Sequence, residues 1–312
     1  MNGICGFGRV TPMALTIALT SVVAGLVAGS VCDAATRAAH DKAYWRAVVA
    51  DDYTPPAGAR LPPLARELSA YLGSTDAELR DDIAYSTLTQ WLYVKRIVPP
   101  DLRRELIAEW MANLRYQTGD REKDSVLRRS FSALMLAVAA ALDNDAAYLD
   151  RVGYKALLDA AMGYLQAEQD TRGFDADKGW LHSVAHSADL LKFLGRSRHL
   201  QKGEQAVILT GIAGKLAQVD HVLVHGEDER LARAVVSIVA RPDVDMPAFR
   251  AFLAALGQVR GDGLPAVADL SRNQNRKQLL VSLYAVLSTD SRDLASLREA
   301  RAMVLAELKT IM

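Results

Sequence analysis

The sequence predicts an all-α fold of stacked antiparallel helix pairs: an α-solenoid (ARM/HEAT-like) or an α/α superhelix. Three observations carry this. From Ala35 onward, apolar residues recur at three- and four-residue spacing, the period of an amphipathic helix. Alternating β-branched runs are nearly absent, and residues 221–225 (HVLVH) are the one short stretch with strand character. The links between periodic segments are short, so consecutive helices should pack antiparallel. An α/α-toroid or a globular helical bundle fits the same pattern.

The helices are expected over roughly 35–50, 62–72, 76–97, 100–115, 122–142, 152–168, 179–194, 203–219, 228–240, 246–259, 264–288 and 291–310. Residues 53–63 form a Pro/Gly-rich link after the first of these. Thr75, Asp76, Ala77 and Glu78 match a capping box, in which the threonine oxygen and the glutamate each satisfy an orphan amide. Pro99 and Pro100 stop one helix and open the next. Pro242 and Pro247 bracket another short connection. Twelve helices with short links suggest repeating pairs of roughly 35–50 residues. The segments RSFSAL (129–134) and LVSLYAVL (280–287) are similar small-and-apolar helix centres. The last helix is amphipathic and reads as a terminal cap.

The N-terminus reads as an export signal. Residues 13–29 carry no charge and follow the basic Arg9, the layout of a secretory signal. Small residues at Cys32 and Ala34 fit cleavage after residue 34. The rival is a lipoprotein signal ending at Cys32, although Val31 is a poor residue before a lipidated cysteine. A single helical-repeat domain, 35–312, would follow, with no transmembrane span, in a periplasmic or secreted protein. The mature chain would lose both cysteines, Cys5 and Cys32. Its catalysis would then use His, carboxylate, Ser, Tyr, Lys or Arg. In the full chain, 37 Lys+Arg balance 37 Asp+Glu, which argues against a nucleic-acid partner.

The densest chemistry lies in residues 172–189, RGFDADKGWLHSVAHSAD. On a helix, His182, His186 and Asp189 fall within a sector of roughly 60°, away from the apolar stripe of Leu190, Leu191 and Leu194. Two imidazoles and a carboxylate on one face suit a divalent metal such as Zn, with open positions for water. They equally suit a His general base oriented by Asp189. The plainer reading has the histidines bonded to a neighbouring helix and Asp189 paired with an arginine. Asp175 and Asp177 precede this helix in a Gly-flanked loop, and Trp180 adds an aromatic surface. His221 and His225 are expected on a surface loop. Folded over residues 182–189, that loop could add one more ligand.

Arg80, beside Asp81 and Asp82, and Arg129, beside Arg128 and Ser130, are polar knots on apolar helices. They read as inter-helix salt bridges that set stacking register. The functional alternative is that Arg80, Arg129 and Arg172 line a groove and bind an anion. Glu229 and Arg233 read as a solvated i,i+4 pair. No dinucleotide fingerprint, Walker A motif, nucleophile elbow or His-Glu-x-x-His occurs.

Three stretches resemble the bacterial DUF2785 family, a domain of unknown function: LRDDIAYSTLTQWL (79–92), SVLRRSFSALML (125–136) and RGFDADKGWLHSVAHSADLL (172–191). The last carries a Gly-Trp-x-His-x-x-x-His-x-x-Asp core. Residues 227–231 and 275–287 extend the resemblance to most of the chain between about 60 and 290. It implies no activity and supports the helical fold and the choice of site. The Gly-Trp-x-His run is also similar to α/α-toroid enzymes of the lanthionine-synthetase type, but the cysteine ligands of that group are missing after residue 34.

Three functions compete. The first is an exported binding protein that holds a peptide, glycan or protein in a groove around the histidine helix. The second is a metal-assisted or His/Asp-dependent hydrolase of a cell-envelope component. The third is a purely structural protein.

Overall fold

The apolar periodicity becomes helix almost throughout. A computed structural model describes residues 40–257 and 265–311, which belong to one compact unit, Ala39–Met312. The expected signal, residues 1–34, lies outside the described residues. Helix α1 (Lys42–Ala50) opens on Asp41, whose carboxylate accepts from the Tyr44 amide at 2.8 Å. Helix α2 (Leu61–Tyr71) carries Pro62 and Pro63 in its first turn. Helix α3 covers residues 78–94. It is π-helical over Glu78–Tyr85, α-helical over Ser86–Thr89 and π-helical again over Gln90–Val94.

The start of α3 differs from the expected capping box. Asp76, not Thr75, supplies the oxygen, which accepts from the Leu79 amide at 3.1 Å. Glu78 turns away to Lys42 and Arg46, because two cations offer it more than one backbone amide. Pro100 does open α4 (Pro100–Asn113). Then follow α5 (Ser125–Asp145), α6 (Arg151–Ala167), α7 (Ser183–Arg196), α8 (Lys202–Gln218), α9 (Glu227–Val239), α10 (Met246–Ala255), α11 (Val267–Thr289) and α12 (Ala295–Ile311).

Residues 221–225, despite their strand character, form the loop expected of His221 and His225. The residues before α7 depart from expectation. The strands among the described residues are β1 (Phe174–Asp175) and β2 (Gly179–Trp180), an antiparallel pair that sets Phe174 opposite Trp180. Helix α7 accordingly begins at Ser183 rather than near residue 179. Gly179 at φ +74° and His182 at φ +49° are left-handed, and a right-handed helix cannot run through them.

Helix α5 packs against α3, α4 and α7; α7 packs against α9, and α9 against α11. Helix α6 meets α7 and α8, α8 meets α10, and α12 closes on α10 and α11. With neighbours on several sides, α5 is buried over nearly its whole circumference. It is long and apolar enough to cross a membrane, yet 83% of its most apolar window is buried inside the protein, as in a central core helix.

Arg129 sits in the second turn of this apolar helix and is fully buried. Its Nε and Nη2 donate to Glu168 at 2.5 and 2.9 Å, and Nη1 donates to the carbonyls of Tyr116 and Gln117, each at 2.9 Å. Glu168 is the residue where α6 ends. The pair thus welds two helices and a loop, as the register-setting reading of this knot requires. Arg129→Met should lower unfolding free energy by about 3–5 kcal/mol, since it leaves the Glu168 carboxylate buried and unpaired. Urea denaturation measures this, and a loss below about 1 kcal/mol would show that the pair is dispensable.

Candidate functional site

The site is assembled by the loop between α6 and α7. Asp175 Oδ1 accepts from the amides of Asp177 (3.0 Å) and Lys178 (3.1 Å), which folds β1 onto β2. Arg80 of α3, fully buried, grips β2 from below. Its Nη2 donates to the carbonyls of Lys178 (2.6 Å) and Trp180 (3.1 Å), and its Nη1 to that of Ser74 (2.8 Å). The Phe131 ring lies 4.8 Å from the guanidinium. The amides of Leu181 and His182 both donate to the Gly173 carbonyl, at 2.9 and 3.1 Å. These bonds hold the chain in the left-handed turn that places His182 at the mouth of α7.

Four rings collect there. Trp180, 40% exposed, stacks on His182 with centroids 4.2 Å apart. His186 meets His182 edge-on at 5.7 Å, and His225 lies 6.3 Å from His182 and 5.9 Å from Trp180. The 221–225 loop therefore does fold over the start of α7, and brings His225 but not His221, which is exposed beside Asp220. His225 fits because residue 173 is glycine: a Cβ there would lie 2.3 Å from its Nδ1. The His225 amide donates to the buried Glu227 at 2.8 Å.

The protonation states follow from the hydrogen bonds. Ser130 Oγ donates its single proton to the Leu181 carbonyl. It must then accept from His186 Nδ1, 2.8 Å away, so His186 is the Nδ1–H tautomer. His182 Nε2 is buried with no hydrogen-bond partner. Burial pushes the His182 imidazole down to about 4, and the Arg230 cation acts in the same direction. Burial, followed by the His182 and Arg230 charges, holds His186 well below the usual histidine range. Both rings are neutral at pH 7.

Asp189 does not complete the expected trio. Its Oδ1 accepts from Lys192 Nζ at 3.1 Å and its Oδ2 accepts from Arg230 Nη1 of α9. Two cations on α7 and α9 claim the carboxylate. Among the described residues, no group of three His, Cys, Asp or Glu side chains is placed to hold a metal ion. Asp189 instead lies at the charged end of a cavity of about 340 Å³. Tyr85 and Tyr93 of α3, Val138 and Ala141 of α5, Phe193 of α7 and Arg230 line the remainder.

The other predicted ligand-binding residues are dispersed. Arg172 is held by Asp170 through Nε (2.8 Å) and Nη2 (2.6 Å). Arg80 and Arg129 are committed as described, so the three guanidiniums do not share a groove. Asp175 is the turn-former and Asp177 is exposed in that turn. Trp180 alone of this set touches the histidines. Sequence reasoning missed Arg230, whose pairing across 41 positions no local pattern reveals. It also missed Lys215 of α8, which is 2% exposed and donates to the Glu168 carbonyl (2.7 Å) and Gln218 Oε1 (3.1 Å). Burial pushes that lysine down to about 8.

A family model described as protein of unknown function, DUF2785, matches residues 114–285, more than half of the chain. The chain belongs to the DUF2785 family. The DUF2785 stretch runs from the end of α4 into α11 and holds the Arg129–Glu168 pair, the four-ring cluster and Arg230. Arg80, which grips the hairpin, stands outside it. No curated protein and no solved structure matches the chain.

The buried histidines make stability fall in acid. The folded His182 titrates near 4 and its unfolded counterpart near 6.5, so the unfolded chain takes up more protons between those values. The contribution is fully present above pH 6.5 and is lost as pH falls towards 4, by about 3 kcal/mol for His182 alone. Urea midpoints at pH 7 and pH 4.5 should differ accordingly, and His182→Gln should shrink the difference. Equal pH dependence in the variant and the wild type would contradict the assignment.

Proposed function

We propose that this protein is an exported helical-repeat binding protein that holds a peptide segment in a groove. In this reading α3, α5, α7 and α9 form one row of a stack of helix pairs, and the groove runs across that row. The observation that carries it is the 340 Å³ cavity, which draws its lining from all four of those helices. The order of helix neighbours supports the same arrangement. The cavity has aliphatic and aromatic walls and one end carrying Asp189, Lys192 and Arg230. That combination suits an apolar side chain flanked by polar backbone or charge, as in a peptide. Export rests on the N-terminal sequence alone.

A second reading, a His-dependent hydrolase of an envelope component, has one observation in its favour: the buried, unpartnered Nε2 of His182. A neutral imidazole with a free ring nitrogen is a competent proton acceptor or donor.

A plug tests the groove. Ala141 is half-buried and lines the cavity, so Ala141→Trp fills the space without invading the core. Peptides selected from a random displayed library on the wild-type protein should lose at least tenfold in affinity for Ala141→Trp, by fluorescence anisotropy. Undiminished binding would place the peptide elsewhere and remove the reading.

A further inference from the structure

The C-terminal end of α7 carries a second, differently built cavity. It has a volume of about 680 Å³ and is lined by Arg196, Arg198, Arg241 and Arg292, with Ser197 and Ser237 beside them. Among the described residues, no carboxylate lines it. Acids outside the lining pair with three of these arginines. Asp143 holds Arg198 at 3.0 Å, Asp243 holds Arg241 at 2.8 Å and Asp290 holds Arg292 at 2.5 Å. Arg241 is locked further by the carbonyls of Gly195 (3.0 Å), Ser197 (2.8 Å) and Leu200 (3.2 Å). Arg241 is therefore fixed before any ligand arrives.

Arg196 is different. Among the described residues it has no carboxylate partner, and its contact is the Phe193 ring, 5.3 Å from its guanidinium. Arg196 and Arg292 line the same cavity; burial lowers the Arg196 pKa, and the like charge of Arg292 acts in the same direction. A planar fork of five donors with no acceptor, next to a second cation and two hydroxyl-bearing residues, matches the geometry of an oxyanion. Asp290 offsets Arg292, but among the described residues no carboxylate offsets Arg196, and a bound anion supplies that missing charge.

We propose that this cavity binds a phosphate- or sulfate-type oxyanion through Arg196 and Arg292. The volume exceeds that of a lone phosphate, so the anion belongs to a larger molecule: a soluble phosphorylated or sulfated compound, or an anionic lipid headgroup. This cavity shares no lining residue with the one between α3, α5, α7 and α9.

Isothermal titration with pyrophosphate tests it on the full chain. The wild type should bind at one site, Arg196→Gln should weaken binding about tenfold, and Arg196→Gln/Arg292→Gln should abolish it. Arg233→Gln, at an exposed arginine paired with Glu229 on α9, should bind as the wild type does. Co-sedimentation with phosphatidylglycerol vesicles separates the sources: sedimentation lost in the double variant assigns a lipid headgroup, and pyrophosphate binding without sedimentation assigns a soluble ligand. Absence of both, or equal pyrophosphate binding by wild type and folded double variant, would overturn the proposal.

Discussion

Two adjacent polar residues on a buried helix organise this protein. Arg129 and Ser130 lie in the second turn of α5, fully buried, where water cannot satisfy them. Each must find protein partners or leave a costly unpaired group. Arg129 takes Glu168, at the start of the loop between α6 and α7. Ser130 takes the Leu181 carbonyl and His186, at the end of that loop. One dipeptide thereby anchors both ends of the segment that carries the hairpin, Trp180 and His182.

That anchoring sets the electrostatics of the cluster. Because Ser130 spends its proton on Leu181, it receives one from His186 and fixes a neutral tautomer there. Because the loop closes over α7, His182 is removed from water and its imidazole also stays neutral. Arg230 faces these rings from α9 and is itself drawn to Asp189. A cation already stands where a metal ion would compete for the same carboxylate. The arrangement instead leaves Asp189, Lys192 and Arg230 as a mixed-charge rim on an apolar cavity.

The sequence disclosed the helices because their signal is local. Apolar spacing and the Pro99–Pro100 pair act within a turn or two, and they placed the elements to within a few residues. The start of α7 was misjudged because Gly179, Trp180 and Leu181 continue the apolar period. The turn there is imposed by Arg80, about a hundred positions upstream, and by the Gly173 carbonyl. His182 and His186 were expected side by side and are, although His182 reaches its place from a left-handed turn rather than from a helix face. The strand character of residues 221–225 found no partner to pair with, so it remained a loop. The approach of His225 depends on the absent side chain of Gly173, which is visible only once the two segments are brought together.

Hydrogen–deuterium exchange over residues 168–182 in Ser130→Ala tests this account most directly. The substitution removes one oxygen and is small enough to keep the helix packed. The Leu181 and His182 amides should exchange at least tenfold faster than in the wild type, while amides in the middle of α9 keep their protection. Unchanged exchange at those two amides would mean that the loop is held without Ser130, and the proposed anchoring from α5 would be wrong.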